Sequence, residues 1–126
     1  MTIPADLKYT AEHEWLRIDN VVATVGITEF AAQSLGDVVF VQVPSIGETV
    51  TVGKACGEIE STKSVSDIFA PADGRVTEVN DAVIDEPGLV NTDPYGQGWL
   101  FKLQVAELPE LLDAARYSAL TNARGK

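Results

Sequence analysis

From Gly47 to Val79 the chain runs through four short β-patterned segments, Thr49–Val52, Ala55–Glu60, Val65–Phe69 and Arg75–Val79, each cut off by glycine, proline or a polar break. The breaks fall at Gly47, Gly53, Ser61 to Ser64, Pro71 and Gly74. Short strands recurring about every eight to ten residues predict a small sandwich or flattened barrel. Gly47-Glu48-Thr49-Val50 and Gly74-Arg75-Val76-Thr77-Glu78-Val79 are similar strand openings, which fits a two-fold pseudo-repeat with the Ser61–Ser64 break between its halves.

Elements on either side complete the pattern. Glu14 to Ile18 alternates around Trp15, Asp19-Asn20 supplies turn residues, and Val21 to Ile27 returns as a partner strand. Thr28 precedes Glu29-Phe30-Ala31-Ala32-Gln33-Ser34-Leu35 and Gly36 follows, the signature of an N-cap, a two-turn helix and a glycine stop, with Phe30 and Leu35 facing the core. The β-branched run Val38 to Val43 reads as a strand buried on both faces, ended by Pro44. Pro87 to Gly98 reads as a long turn-rich connection leading to a strand over Trp99–Val105. Leu108, Leu111, Leu112, Ala115, Tyr117 and Leu120 fall at roughly helical spacing, predicting one or two terminal helices packed by an apolar stripe. The expected organisation is one domain over 1–126, with a core of about 14–105 and a helical segment of about 107–122.

Composition narrows the partners. A net charge of −10 over 126 residues disfavours nucleic acid and anionic membranes, which are bound through clustered Lys and Arg, and favours proteins with basic docking faces. Cys56 is the only cysteine, so no internal disulfide or thiolate cluster forms, and a reducing compartment is the natural home. Its strand-like setting makes it a small buried hydrophobe rather than a nucleophile. The start Met1-Thr2-Ile3-Pro4-Ala5-Asp6 lacks the pattern of a signal or transit peptide, and no apolar stretch is long enough to span a bilayer. A cytoplasmic monomer is expected, though a processed organellar chain fits the same pattern.

No autonomous active site is legible. His13 is the only histidine, without the spacing of a zinc motif, and no phosphate loop, nucleophile elbow or His/Asp/Ser set is present. The acid pairs Glu12/Glu14 and Glu58/Glu60 read as solvated faces. Lys63 stands apart. It sits at the tip of the polar break, and between Arg17 and Arg75 the only bases are Lys54 and Lys63 against eight acids (Asp19, Glu29, Asp37, Glu48, Glu58, Glu60, Asp67, Asp73). Hairpin lysines more often solubilise or protect an edge. Here the isolation of the ammonium in an anionic field marks it as the candidate functional group.

Over nearly its whole length the chain resembles the H proteins of the glycine cleavage system. The match runs through Tyr9, His13-Glu14-Trp15, Val25-Gly26-Ile27-Thr28, Leu35-Gly36-Asp37-Val38-Val39-Phe40-Val41, Glu60-Ser61-Thr62-Lys63, Ser66-Asp67, Gly74, Val79-Asn80, Leu89-Val90-Asn91, Pro94-Tyr95-Gly96 and Gly98-Trp99-Leu100. The resemblance implies a mainly β, lipoyl-domain-like barrel–sandwich hybrid of two antiparallel sheets, with a short helix near 28–35 and C-terminal helices. It implies lipoic acid joined by an amide to Lys63, as a swinging arm. It implies as partners a pyridoxal-phosphate-dependent glycine decarboxylase that loads an aminomethyl group and a tetrahydrofolate-dependent aminomethyltransferase that removes it. An FAD-linked dihydrolipoyl dehydrogenase that takes the electrons, and the lipoylating enzymes, complete the set. The chemistry would then belong to those partners, and this chain would be a carrier rather than an enzyme.

A loaded arm of this kind needs shelter from water. Ile27, Phe30 and Leu35 are expected to form apolar walls of a groove, with Glu14 and Asp67 accepting charge-assisted hydrogen bonds from the amine. The sequence departs from the common family pattern at Thr62 and Ser64, which flank the lysine, and at Ser34, which bears on groove polarity. A lipoyl domain of a 2-oxoacid dehydrogenase typically carries Asp-Lys-Ala at the tip, and a biotin carrier has methionines beside its lysine, whereas Met1 is the only methionine here. A lipoate donor or a lipoylated interaction module outside glycine cleavage is the alternative reading.

Overall fold

The computed structural model describes residues 3–124, which form two antiparallel sheets. The larger is ordered β1 (Lys8–Tyr9), β2 (Glu14–Asp19), β3 (Val22–Ile27), β9 (Phe101–Gln104), β8 (Gly74–Val79), β5 (Thr49–Val50). The smaller is ordered β4 (Val38–Gln42), β6 (Ala55–Ser61), β7 (Val65–Phe69). The strands β5 and β8, which carry the two similar openings, pair with each other, Thr49 against Arg75 and Val50 against Gly74. This is the two-sheet, mainly β architecture that the spacing of breaks requires.

One apolar cluster joins the sheets. Leu16, Val25, Val76, Phe101 and Leu103 of the larger sheet and Val41, Ile59 and Ile68 of the smaller are all buried in it. A second cluster of Leu7, Tyr9, Trp15 and Tyr117 lies apart from the first. Strand β2 serves both: Leu16 enters one cluster and its neighbour Trp15 the other, so Glu14, Trp15 and Leu16 are consecutively buried and the alternation expected around Trp15 fails. Trp15 lies across Gly26, its antiparallel partner, so closely that a Cβ at 26 would sit 2.5 Å from the indole. Its Nε1 donates to the Pro94 carbonyl at 2.9 Å, which ties the loop before β9 to β2.

Helix α1 (Glu29–Leu35) forms where its caps predict: Thr28 Oγ1 accepts from Ala31 N, and Gly36 at φ +82 ends it. Strand β4 is a correction. Val39, Phe40 and Gln42 are exposed, so the run is a half-buried edge strand and not a strand buried on both faces. A bulge between Val38 and Phe40 adds one residue to the edge and leaves both Val39 and Phe40 in solvent. β-branched composition reports fit to a pleated surface and is silent on which faces are covered.

Two short helices, α2 (Asp81–Asp85) and α3 (Leu89–Thr92), precede β9, and the second interrupts what reads in sequence as a continuous turn-rich connection. Helices this short lack a periodic signal and form only when tertiary contacts hold them. Near the other end, 107–113 forms no helix and Leu112 bridges to Tyr9, while the one helix described there is α4 (Ala114–Arg124). Leu108 and Ala115 are exposed; Tyr117 anchors the helix, its ring stacked on Tyr9 at 4.7 Å.

Gly26→Ala should therefore cost about 1–3 kcal/mol by overpacking against the indole. In a Trp15→Leu background the same change should cost markedly less. Thermal unfolding of the two single variants and the double variant measures the coupling, and strict additivity would contradict the contact.

Candidate functional site

The β6–β7 hairpin turns over Ser61-Thr62-Lys63-Ser64, and buried Ser61 organises the turn. Its amide donates to the Ser64 carbonyl (2.8 Å), and its hydroxyl accepts from the amides of Lys63 (3.3 Å) and Ser64 (3.1 Å) and donates to the Ser64 carbonyl (3.1 Å). Thr62 N donates at 3.0 Å to the Asp37 carbonyl, in the link between α1 and β4. That link is clamped in turn by Asn91 of α3, whose Oδ1 accepts from Val38 N (2.9 Å) and whose Nδ2 donates to the Gly36 carbonyl (2.8 Å). Serial hydrogen bonds thus hold the turn on the body of the protein. Lys63 itself is exposed and makes no ion pair among the described residues. Its stem passes over Gly36, where a Cβ would lie 3.1 Å from the Lys63 Cε.

A groove of about 370 Å³ opens beside the turn, between α1 and the free edge of β7. Ile27, Phe30, Ser34 and Leu35 line one side with Ile59; Ser64 to Asp67 line the other, and Glu12, His13 and Glu14 complete it. The six residues anticipated for a groove, Glu14, Asp67, Ser34, Ile27, Phe30 and Leu35, all line this one, and Lys63 immediately precedes Ser64 in its wall.

The register explains the free edge. Ser61 and Ser64 form a hydrogen-bonded pair, so Ser66 and Ile68 point their backbone groups at β6 while Val65, Asp67 and Phe69 point theirs outward. Glu14 meets the last of these. Its Oε2 accepts from Phe69 N at 3.0 Å and its Oε1 accepts from the Thr10 hydroxyl at 2.8 Å. Only 2% of Glu14 is exposed, and burial pushes its carboxyl up to about 7 despite the lowering effect of those two bonds, with Glu12 adding a further upward push. The reading of Glu12 and Glu14 as a solvated pair is thereby corrected for Glu14; Glu12 is exposed. Asp67 and Ser34 are exposed at the groove surface.

Several contributors have no role at the site that the sequence pattern assigns. His13, at φ +71, places its ring 4.8 Å from that of Phe30, and its Nδ1 lies 2.8 Å from the Tyr117 hydroxyl. That hydroxyl is 2.7 Å from Thr28 Oγ1, so α4 is bonded through one phenol to both the groove lining and the cap of α1. Asn91 and Tyr117 come from distant segments, and only the folded chain brings them here. Cys56 is half-buried and burial pushes its thiol up to about 12, which leaves it protonated and unreactive at neutral pH. Among the described residues no cluster of His, Cys, Asp and Glu is arranged to hold a metal ion.

Because the carboxyl of Glu14 rises from the ordinary 4.5 to about 7 on folding, the folded state binds the extra proton. The associated stability is fully present below the unfolded value and is lost as pH rises through the folded one. Relative to Glu14→Gln, wild-type unfolding free energy should fall by about 3 kcal/mol across that window. Parallel pH profiles for the two proteins would contradict this. Asn91→Ala strands a buried amide and a carbonyl and should cost about 2 kcal/mol. Hydrogen exchange at Val38 and Thr62 should quicken with it, and unchanged exchange at Thr62 would show that the turn does not depend on this clamp.

The family model described as glycine cleavage H-protein matches residues 7–124. A glycine cleavage system H protein from Beutenbergia cavernae is 64% identical over 122 residues, covering 97% of this chain and 98% of the relative. One from Thermobifida fusca is 55% identical over 126 residues, covering 99% and 100%. The crystal structure of a glycine cleavage system H protein from Mycobacterium marinum superposes with a TM-score of 0.89 at 48% identity, covering 98% of this chain and 100% of that one. With matches of this extent in sequence and in fold, the chain belongs to the glycine cleavage H-protein family.

Proposed function

We propose that Lys63 is the attachment point of lipoic acid and that the chain is the lipoyl shuttle of glycine cleavage. It carries an aminomethyl group from glycine decarboxylase to the folate-dependent aminomethyltransferase, and then electrons to dihydrolipoyl dehydrogenase. The observation that carries this reading is the juxtaposition of an exposed primary amine, on a turn held by partly buried hydrogen bonds, with a groove lined by apolar and acidic side chains. The whole chain, 1–126, serves as one carrier domain working in the cytoplasm, and none of its described helices is long and apolar enough to cross a membrane.

The residues present suit such a group. Lys63 has no competing partner for its nitrogen among the described residues, and Gly36 leaves room for its stem against the backbone. When attached, the lipoyl group supplies a dithiolane able to take up a one-carbon fragment and two electrons. The protein's own side chains orient and shelter. Ser61 and the Asp37 carbonyl hold the turn in one shape, which raises the effective concentration of whatever Lys63 bears at a docked active site. Ile27, Phe30 and Leu35 exclude water along the groove, Ser34 adds a hydroxyl at its surface, and Glu14 and Asp67 accept hydrogen bonds from an incoming amine. An ammonium arriving beside Glu14 favours its carboxylate form and so strengthens the bond it receives.

Intact-protein mass after incubation with lipoate, ATP and a lipoate ligase should rise by one lipoyl increment in the wild type and not in Lys63→Arg. Glycine-dependent loading by the decarboxylase should follow. An unchanged wild-type mass rejects the attachment. Glu14→Ala should speed decay of the loaded form in water roughly tenfold, the equivalent of one charge-assisted hydrogen bond. An unaltered decay rate removes Glu14 from the shelter.

A further inference from the structure

The three-stranded sheet buries one face and leaves the other bare. Val41, Ile59 and Ile68 point into the core, at 2% exposure or less. On the outer face, Phe40, Glu60 and Val65 lie opposite one another across β4, β6 and β7, and the bulge sets Val39 beside Phe40. Val39, Phe40 and Val65 are 51%, 50% and 58% exposed. The remaining large exposed hydrophobics lie at turns and strand ends, on the short α2 or in the segment before α4. Isolated exposed apolar residues need no explanation, but a contiguous group on a sheet face that would ordinarily be polar marks a contact surface.

Charge describes what fits there. Strands β4, β6 and β7 contain no Lys or Arg, and the next row across the same face is Gln42, Glu58 and Asp67. A second copy of this chain would set Glu58, Glu60 and Asp67 against their own counterparts, in a protein of net charge −10. Like charges so opposed repel, so self-association is disfavoured. The row Phe40–Glu60–Val65 is also the first below the turn that presents Lys63. Any enzyme that draws the Lys63 side chain into its cleft comes to rest beside it.

We propose that this outer face is the docking surface for the enzyme that acylates Lys63. The matching surface is an apolar hollow that receives Phe40 and Val39, with basic side chains set against Glu60 and Glu58. The inference rests on the lipoyl-carrier reading of Lys63 and adds the partner surface to it. The face adjoins the groove along β7, where Val65 and Asp67 belong to both, while Val39, Phe40, Glu58 and Glu60 lie outside the groove lining.

The test uses full-length protein with purified lipoate ligase, lipoate and ATP, and follows initial rates by intact mass. Val39→Thr combined with Phe40→Ser should raise KM for the carrier roughly tenfold with kcat little changed, the pattern of lost docking energy. Its melting temperature should stay close to wild type, as for substitutions on an uncovered face. Glu58→Arg should raise KM at low salt and converge with wild type at high salt. Should the double variant aggregate, Glu58→Arg and the salt dependence of wild-type KM decide the matter, and a salt-independent KM overturns the proposal. Wild-type KM retained in a folded double variant also overturns it while leaving acylation of Lys63 intact. A wild type that gains no mass removes the carrier reading itself, and the docking surface with it.

Discussion

Among the described residues strand β7 has a neighbouring strand on one side only, and the geometry of the candidate site follows from that open edge. Outward-pointing amides on an edge strand must find partners or water. Phe69 N finds the buried carboxylate of Glu14, which links the small sheet to the start of β2 and forces an acid into a setting where its carboxyl sits near 7. Further along, no other strand among the described residues pairs with this edge, and the gap between it and α1 is the groove. Closing the sheet at this point would satisfy the amides and abolish the cavity. The open edge is thus what leaves room for the groove.

Exposure and rigidity have opposite requirements at Lys63, and the fold meets both by separating side chain from backbone. The ammonium is exposed, while the peptide groups around it are bonded to Ser61, to Asp37 and, at one remove, to Asn91. The ordering entropy of a short loop is offset by bonds made in partly buried surroundings, where each is worth more than at the surface. A turn of fixed shape presents one target to every enzyme that reads it, which is what a protein visiting several catalysts in succession requires.

Much of the fold was legible because its signals are local. The Thr28 cap and Gly36 stop bounded α1, and glycine and proline breaks bounded β6 and β7. The errors share one cause. Whether β4 is covered on both faces depends on what packs against it, and nothing in Val38 to Val43 encodes that. The short α3 lacks the length to show a period, and Leu108 to Leu112 has helical spacing yet is drawn out beside Tyr9 by a bridge formed across the fold. The groove residues were named through family resemblance; what the pattern alone missed were His13, Asn91 and Tyr117, polar or aromatic residues whose roles exist only through partners far away in the chain.

The sequence by itself determined the β-rich class, the position of the lysine turn and the anionic surroundings of its ammonium, because turn chemistry, strand length and charge are properties of neighbouring residues. The tertiary structure alone decided that Glu14 is buried and weakly acidic, that α1 and β7 leave a groove between them, and that Phe40 and Val39 face solvent. Burial, desolvation and the pairing of edges arise between segments tens of residues apart. They are settled only when both sheets close on their shared core.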